Sequence, residues 1–264
     1  MKRGWKGNLI SKMNPIFSKM GFEVVAAHTG FEKWRKINRL IQEEGNEFSA
    51  LDAAMALAVT ERDKGVASVV QIGANDGKQY DFVRKYIDRY SMRGVLVEPN
   101  PVVFERLKKN YSHQPQLKFE NVAIGETEGV MTLYSFVPMA GDIRDNSVFA
   151  SLDQEVIKRT KIVNNIPNAI QTSSVSVITL STLLERHSLI DDVTLLVIDT
   201  EGYDLKILAG LDFKMCKPRI IVYEHGFATI DEEIYCLNRL IFNGYRIHRN
   251  IGVDTIAVLH CGIQ

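Results

Sequence analysis

Three carboxylates, Asp199, Glu201 and Asp204, fall within six residues directly after the apolar run Asp192 to Ile198, and Glu224 with His225 follows a second such run, Arg219 to Tyr223. Carboxylates gathered without partners repel one another, so a cluster of this kind needs a purpose. Three stay open. One is a base that takes a proton from a substrate. Another is a hard-metal site in which Asp199, Glu201 and Glu224 hold Mg²⁺, which would bind substrate hydroxyls and lower the pKa of one of them. The last is capping, because acids at a helix N-terminus are stabilised by its dipole. Asp199 and Glu201 are functional on either of the first two readings. His225 is the candidate general base, since imidazole titrates near neutrality; the alternative is a hydrogen-bonded structural histidine.

A second constellation begins at the loop Gly73-Ala-Asn-Asp-Gly77, after the apolar run Ser68 to Ile72. Glycines there let a backbone turn sharply and approach a ligand that a Cβ would keep away. Two glycines alone are equally well explained by a plain strand-to-helix turn. Glu98, 21 residues beyond Gly77 at the end of the next apolar run, changes the balance. An acid in that place accepts hydrogen bonds from the ribose hydroxyls of an adenine nucleoside. Two cofactors fit, a dinucleotide such as NAD or S-adenosylmethionine. A pyrophosphate calls for G-x-G-x-x-G, whereas this loop is G-x-x-x-G with Asp76 inside it, a charge that repels phosphate and suits a sulfonium or ammonium group. The methyl donor is favoured.

The elements that must position these residues alternate. Ser68 to Ile72, Gly94 to Val97, Gln116 to Ile124, Asp192 to Ile198 and Arg219 to Tyr223 read as strands, and Tyr80 to Tyr90, the run from Pro101, Thr182 to His187, Tyr203 to Ala209 and Asp231 to Phe242 read as helices. Asn100 caps the helix that Pro101 opens. Tyr245 to Arg249 and Thr255 to His260 form a closing hairpin around Gly252. Continuous apolar strands alternating with helices predict an α/β fold: a Rossmann-like, doubly wound, mostly parallel sheet with a C-terminal antiparallel hairpin. In such sheets ligands lie beyond the carboxyl ends of the strands, where both constellations fall.

Three segments stand outside this rhythm. Residues 1–65 read as an N-terminal arm with a helix from Asn46 to Lys64, leaving residues 66–264 as the Rossmann-like domain. Val130 to Phe136 reads as an edge strand. Residues 138–172 read as a lid-like insertion, in which Ser151-Leu-Asp-Gln154 predicts a capping box for a helix reaching about Lys161; Val175 to Ile178 then leads back into the domain.

Composition narrows the class. The chain of 264 residues has no net charge and is 45% hydrophobic and 24% charged, values of an ordinary globular protein. No apolar run is long enough to cross a membrane and no secretory signal stands out, so a cytoplasmic location is expected. Cys216, Cys236 and Cys261 are widely spaced and read as reduced thiols. Residues 1 to 40 hold nine Lys or Arg against two Glu, with Trp5, Phe17, Phe31 and Trp34 among them. That arm alone does not make a phosphate-binding surface on a neutral chain, and nucleic acid is not the expected partner.

The series Val70-Gln-Ile-Gly-Ala-Asn-Asp-Gly77, Val97-Glu-Pro-Asn-Pro101, Asn121-Val-Ala-Ile-Gly125 and Leu196-Val-Ile-Asp-Thr-Glu-Gly-Tyr-Asp204 resembles the FkbM family of methyltransferases over about residues 66–225. The resemblance implies a class I methyltransferase fold, S-adenosylmethionine as cofactor and O-methylation of a hydroxyl on a sugar, glycan or other polyhydroxylated metabolite. Carried over by position, Gly73, Asn75, Asp76 and Gly77 line the amino-acid end of the cofactor, Glu98 its ribose, and Asn121 and Val122 its adenine, with Asn100 and Asp199 completing the set. One departure is Gln71, where family members often carry an acid. A small-molecule or glycan acceptor is the expected partner. The rival readings are a nucleotide-dependent oxidoreductase or epimerase and a non-catalytic module that keeps the cofactor fold.

Overall fold

The computed structural model describes residues 50–60, 65–136, 149–159, 170–249 and 254–260. The chain divides into two compact units, Met1–Lys64 and Gly65–Gln264. In the first, helix α1 (Ala50–Thr60) is described; the basic arm, the flanks predicted for this helix and Cys261 lie outside the described residues.

The second unit is built on a seven-stranded sheet, β10-β11-β9-β8-β1-β2-β3, comprising β1 (Ser68–Ile72), β2 (Arg93–Val97), β3 (Leu117–Glu120), β8 (Leu195–Ile198), β9 (Ile220–Glu224), β10 (Tyr245–Arg249) and β11 (Asp254–Leu259). Strands β3, β2, β1, β8 and β9 run parallel, and β11 is antiparallel to both β9 and β10. The predicted hairpin is therefore present, with its second strand inserted between β9 and β10. Every residue of β1 and β8 is buried, as a central parallel strand covered on both faces must be. Their neighbours in sequence lie on opposite sides: the chain passes from β1 to β2 one way and enters β8 from the other. The topological switch point therefore lies between β1 and β8.

Helices α2 (Arg84–Tyr90), α3 (Pro101–Asn110), α4 (Gln154–Arg159), α5 (Leu180–Arg186), α6 (Asp204–Ala209) and α7 (Ile230–Phe242) complete the unit. Asn100 accepts the backbone N–H groups of Val102 and Val103 and caps α3, whose first residue is Pro101. A capping box between Thr229 and Glu232 opens α7.

Five sequence expectations are corrected. The predicted third strand breaks after Glu120, because the Asn121 amide donates to the carbonyls of Glu98 (2.8 Å) and Pro99 (3.1 Å) and bends the chain out of the main sheet. Ala123–Ile124 (β4) then belongs to a second sheet, β4-β7-β5-β6, with β5 (Gly129–Phe136), β6 (Ala150–Ser151) and β7 (Ile170–Ile178). There β5 lies between β7 and β6 and is no edge. Strand β7 also starts inside the stretch read as an insertion: residues 171–174 are polar and exposed, so no alternation announced them. Residues 138–148 and 160–169 of that stretch lie outside the described residues. Helix α2 begins at Arg84, not Tyr80, because Tyr80 is left-handed (φ 59°) and Asp81 caps the chain after it, accepting Val83 N at 3.0 Å and Arg84 N at 3.3 Å.

Ser151 does not close the predicted capping box. Its hydroxyl accepts Asp153 N (3.0 Å) and donates to the Glu201 carbonyl (2.7 Å), and Asp153 takes over as the acceptor for Glu155 N (2.9 Å). Among the described residues no helix is long and apolar enough to cross a membrane.

Candidate active site

The loops after β1 and β8 touch. Gly73 has φ of 78°, and a Cβ built on it would stand 1.7 Å from the Asp199 carbonyl oxygen, so only glycine permits this approach. The chain then turns through Asn75, also left-handed at 52°, a conformation asparagine tolerates. Asn75 N donates to Glu98 Oε2 (3.0 Å), and Asn100 N donates to Glu98 Oε1 (2.8 Å). Two backbone donors thus aim the Glu98 side chain from the end of β2 and leave each oxygen a further lone pair. Burial, added to by the charges of Asp199 and Asp76, outweighs these donors and raises the Glu98 carboxyl to about 7.

Behind the loop, Gly77 packs so tightly on α3 that a Cβ would come within 2.5 Å of the Tyr111 ring. Arg84 reaches from α2 to the carbonyls of Gly77 (2.7 Å) and Asn110 (3.0 Å), and the Asn110 amide donates to the Asp76 carbonyl (2.8 Å). The turn is fastened on its outer side, so its inner side keeps a fixed shape.

Gly73, Ala74, Asn75, Glu98, Pro99, Val122, Ile124, Asp199, Thr200 and Glu201 line a cavity of about 210 Å³. Ser151 of the second sheet and Leu152 after it also line the cavity, and Tyr80, Phe82 and Phe149 add aromatic surface. Four carboxylates, Asp81, Glu98, Asp199 and Glu201, line it, and among the described residues none of those lining it is Lys, Arg or His. Asp199 opens onto the cavity yet is deeply ringed by protein; burial, then the charge of Asp254, raises it to about 6. Glu201, left-handed at 53°, is raised to about 8 by burial, Asp199 and Asp204. Such a wall asks for positive charge from whatever occupies it.

A family model for the FkbM methyltransferase domain matches residues 71–247, more than half of the chain. The chain belongs to the FkbM methyltransferase family. No curated protein matches it. Among solved structures, an FkbM methyltransferase from Methylobacillus flagellatus is 13% identical with a TM-score of 0.43, the match covering 86% of this chain and 59% of that one. The FkbM chain described here thus spans under two thirds of that relative's length. The METTL16 methyltransferase domain is 10% identical over 98% of this chain and 94% of its own, with a TM-score of 0.44. An RNA methyltransferase from Salinibacter ruber, solved with S-adenosyl-L-homocysteine, is 12% identical over 75% of this chain and 84% of its own, with a TM-score of 0.32.

Of the residues expected to bind cofactor in this FkbM domain, Gly73, Asn75, Glu98, Val122 and Asp199 line the cavity. Asp76, Gly77, Asn100 and Asn121 do not. The Asp76 carboxylate turns back to accept Lys78 N (2.9 Å) and Gln79 N (2.7 Å), forming the turn rather than facing a ligand. Asn100 and Asn121 act through the backbone around Glu98 already described.

The catalytic set is likewise divided. Glu201 and Asp199 stand in the cavity, whereas His225 does not line it; its Nδ1 pairs with Thr255 Oγ1 of β11 at 3.0 Å. Asp204 is buried at the start of α6 and accepts Thr200 Oγ1 (2.7 Å), Thr200 N (3.2 Å), Gly202 N (3.3 Å) and Glu224 N (3.3 Å), so it shapes the loop that carries Asp199 and Glu201. The Mg²⁺ reading is not supported. Glu224, raised to about 8 by burial and the charge of Glu201, lines a separate small cleft with Asp204, Lys206, Phe227 and Glu232. Among the described residues no group of three or more His, Cys, Asp or Glu side chains is arranged to hold a metal.

Sequence reasoning missed Gln71, Asp81 and Ser151 as cavity residues. The signal for Gln71 was available: a polar side chain in the middle of an all-buried strand requires a polar partner.

Proposed function

We propose that the chain is an S-adenosylmethionine-dependent O-methyltransferase acting on a hydroxyl of a sugar, glycan or other polyhydroxylated metabolite. The observation that carries the reading is the cavity at the switch point, walled among the described residues by four carboxylates and no basic side chain. A dinucleotide would bring its pyrophosphate against those carboxylates, which disfavours an oxidoreductase or epimerase. S-adenosylmethionine, when bound, supplies an electrophilic methyl group on a sulfonium cation.

The chain's own residues divide the remaining work. Glu98 retains one lone pair on each oxygen for the two ribose hydroxyls. Pro99 and Val122 offer apolar surface to a base. Asp199 and Glu201 offer negative charge to a cation that would be bound in the cavity, and Glu201 takes the proton from the acceptor hydroxyl. Glu201, raised to about 8 in the ligand-free chain, is mostly protonated at pH 7 there; a bound cation would favour its charged form and leave it able to accept the proton. Ser151 holds the Glu201 backbone from the second sheet. Holding two reacting groups in line is itself a large part of such catalysis. The acceptor class follows the family resemblance, and a non-catalytic module remains the rival that activity alone excludes.

Calorimetric titration with S-adenosylmethionine and with NAD, followed by a methyl-transfer screen over sugar and glycan acceptors with and without EDTA, tests the reading. Binding of S-adenosylmethionine, turnover of a hydroxyl acceptor and indifference to EDTA are expected. Retention of NAD with no affinity for S-adenosylmethionine would sink it.

A further inference from the structure

Helix α7 packs onto its own domain through Cys236 and Leu240, which are buried, and Leu237, which is half-buried. Its outward side should then be polar, as on α2, where Lys85, Asp88 and Arg89 are the exposed residues. It is not. Ile230 (75% exposed), Ile234, Ile241, Tyr235 and Phe242 (90%) all stand more than half exposed. At about 100° per residue the three isoleucines form one row and the two aromatics a second, with Asp231 and Asn238 between them. Tyr235 is already held: the Arg239 guanidinium lies over its ring, 5.7 Å from the centroid, and donates to its hydroxyl at 3.4 Å. An aromatic anchor fixed in the free chain loses little entropy when a partner covers it. Together the five residues leave roughly 600 Å² exposed, the size at which a patch on one molecule reads as a contact site.

We propose that this face of α7 is a dimer interface, across which a second copy of the chain lays its own α7 antiparallel, about a two-fold axis at Asn238. Charge selects the occupant and its direction. Asp231 is exposed in the first turn of α7, and Arg246 is exposed on β10, which opens three residues after the helix ends. The two lie seven and eight residues either side of Asn238, so an antiparallel copy brings Asp231 of each chain toward Arg246 of the other. A parallel copy would set the acids of the two first turns against each other. An anionic lipid surface is disfavoured by the same acids, Asp231, Glu232 and Glu233. Strand pairing through β10, at the edge of the seven-stranded sheet, does not compete, because Arg246, His248 and Arg249 would meet like charges on a second copy. Covering the face in both copies removes about 1,200 Å² in all, the lower bound of a specific interface, and Asp231, Asn238 and Arg246 add to it.

Light scattering and analytical sedimentation of the full chain test this. An interface of this size holds with micromolar affinity, so at about 100 μM the particle should have twice the mass of one chain. Ile234→Glu and Phe242→Glu each put a carboxylate into an apolar row, and each should give a monomer with the circular dichroism of the wild type. Asp231→Arg should weaken the dimer about tenfold, and so should Arg246→Asp, whereas the two together should restore it, because both copies of the contact are then exchanged. Vesicles of phosphatidylserine and phosphatidylcholine should leave the protein in solution when they are spun down. A wild-type monomer at about 100 μM overturns the inference, and a monomer that sediments with the vesicles assigns the face to lipid instead. A dimer that survives both glutamate variants lies on another surface and overturns it equally. Failure of the double charge exchange to restore the dimer overturns the antiparallel pairing.

Discussion

At the scale of single residues, the cavity's chemistry is set by what surrounds each carboxylate rather than by how many there are. Asp204 is saturated by N–H and O–H donors and Asp76 accepts two backbone N–H groups on Oδ1, so both shape loops; Asp199 and Glu201 line the cavity. Glu201→Gln keeps the shape and removes the base, so kcat for a hydroxyl acceptor should fall about 10²- to 10⁴-fold. Calorimetry should show S-adenosylhomocysteine still binding; undiminished turnover would remove Glu201 from its role and return attention to His225. A second expectation concerns pH. With Asp199 raised to about 6, Glu98 to about 7 and Glu201 to about 8, the empty cavity gains negative charge as pH rises from 6 to 8.5. A sulfonium cation should bind more tightly across that range, and S-adenosylhomocysteine, which lacks that charge, should gain much less. Parallel curves for the two ligands would show that these carboxylates do not face the sulfonium.

At the scale of elements, the site depends on contacts between loops that are distant in sequence. Gly73→Ala would drive a Cβ into the Asp199 carbonyl at 1.7 Å, so the loops after β1 and β8 must part. Loss of cofactor affinity and a destabilisation of about 3 kcal/mol or more are expected in calorimetry and denaturant unfolding. Ser151→Ala removes the hydrogen bond between β6 and the Glu201 carbonyl and the one Ser151 accepts from Asp153 N, each typically contributing about 1 kcal/mol. Of these only the first reaches a loop of the cofactor cavity, and it holds the residue bearing the base, so kcat should drop more than cofactor affinity; an equal fall in cofactor affinity would place Ser151 elsewhere in the mechanism. These contacts also explain what the sequence could and could not reveal. Strands β1, β2 and β8 announce themselves as continuous apolar runs, and Asn100 with Pro101 is a local signal, so the sheet and its cofactor edge are legible. The second sheet is not, because the first half of β7 is a run of exposed polar residues with no alternation. The partners of Ser151, Gln71 and His225 lie 50, 10 and 30 residues away, and side-chain direction at that range depends on packing that no local pattern encodes. His225 is the instructive case: its place after β9 was read correctly, but Thr255 of the antiparallel β11 occupies its Nδ1.

At the scale of the whole molecule, the same carboxylates make stability depend on pH and on the ligand. The chain has no net charge at neutral pH, so the effect is local to the switch point and does not arise from overall repulsion. Glu98 and Asp204 are raised to about 7, and Glu201 and Glu224 to about 8, mainly by burial. Each folded-state value stands above the unfolded value of about 4, so the folded state binds more protons than the unfolded state between these limits. The stabilisation they contribute is then complete below pH 4 and is lost as pH rises through 7 to 8. Glu232, held below its usual range by hydrogen bonds from Thr229, opposes this trend only at lower pH. The melting temperature of the ligand-free protein should therefore decline between pH 5 and pH 8.5. A bound sulfonium favours the charged carboxylates and binds only the folded state, so saturating S-adenosylmethionine should flatten or reverse that decline. Thermal unfolding at half-unit pH steps, with and without the ligand, measures both curves. A ligand-free melting temperature that climbs through this window would mean that the acids are ionised at ordinary values, and that the wall at the switch point carries its negative charge before any cofactor arrives.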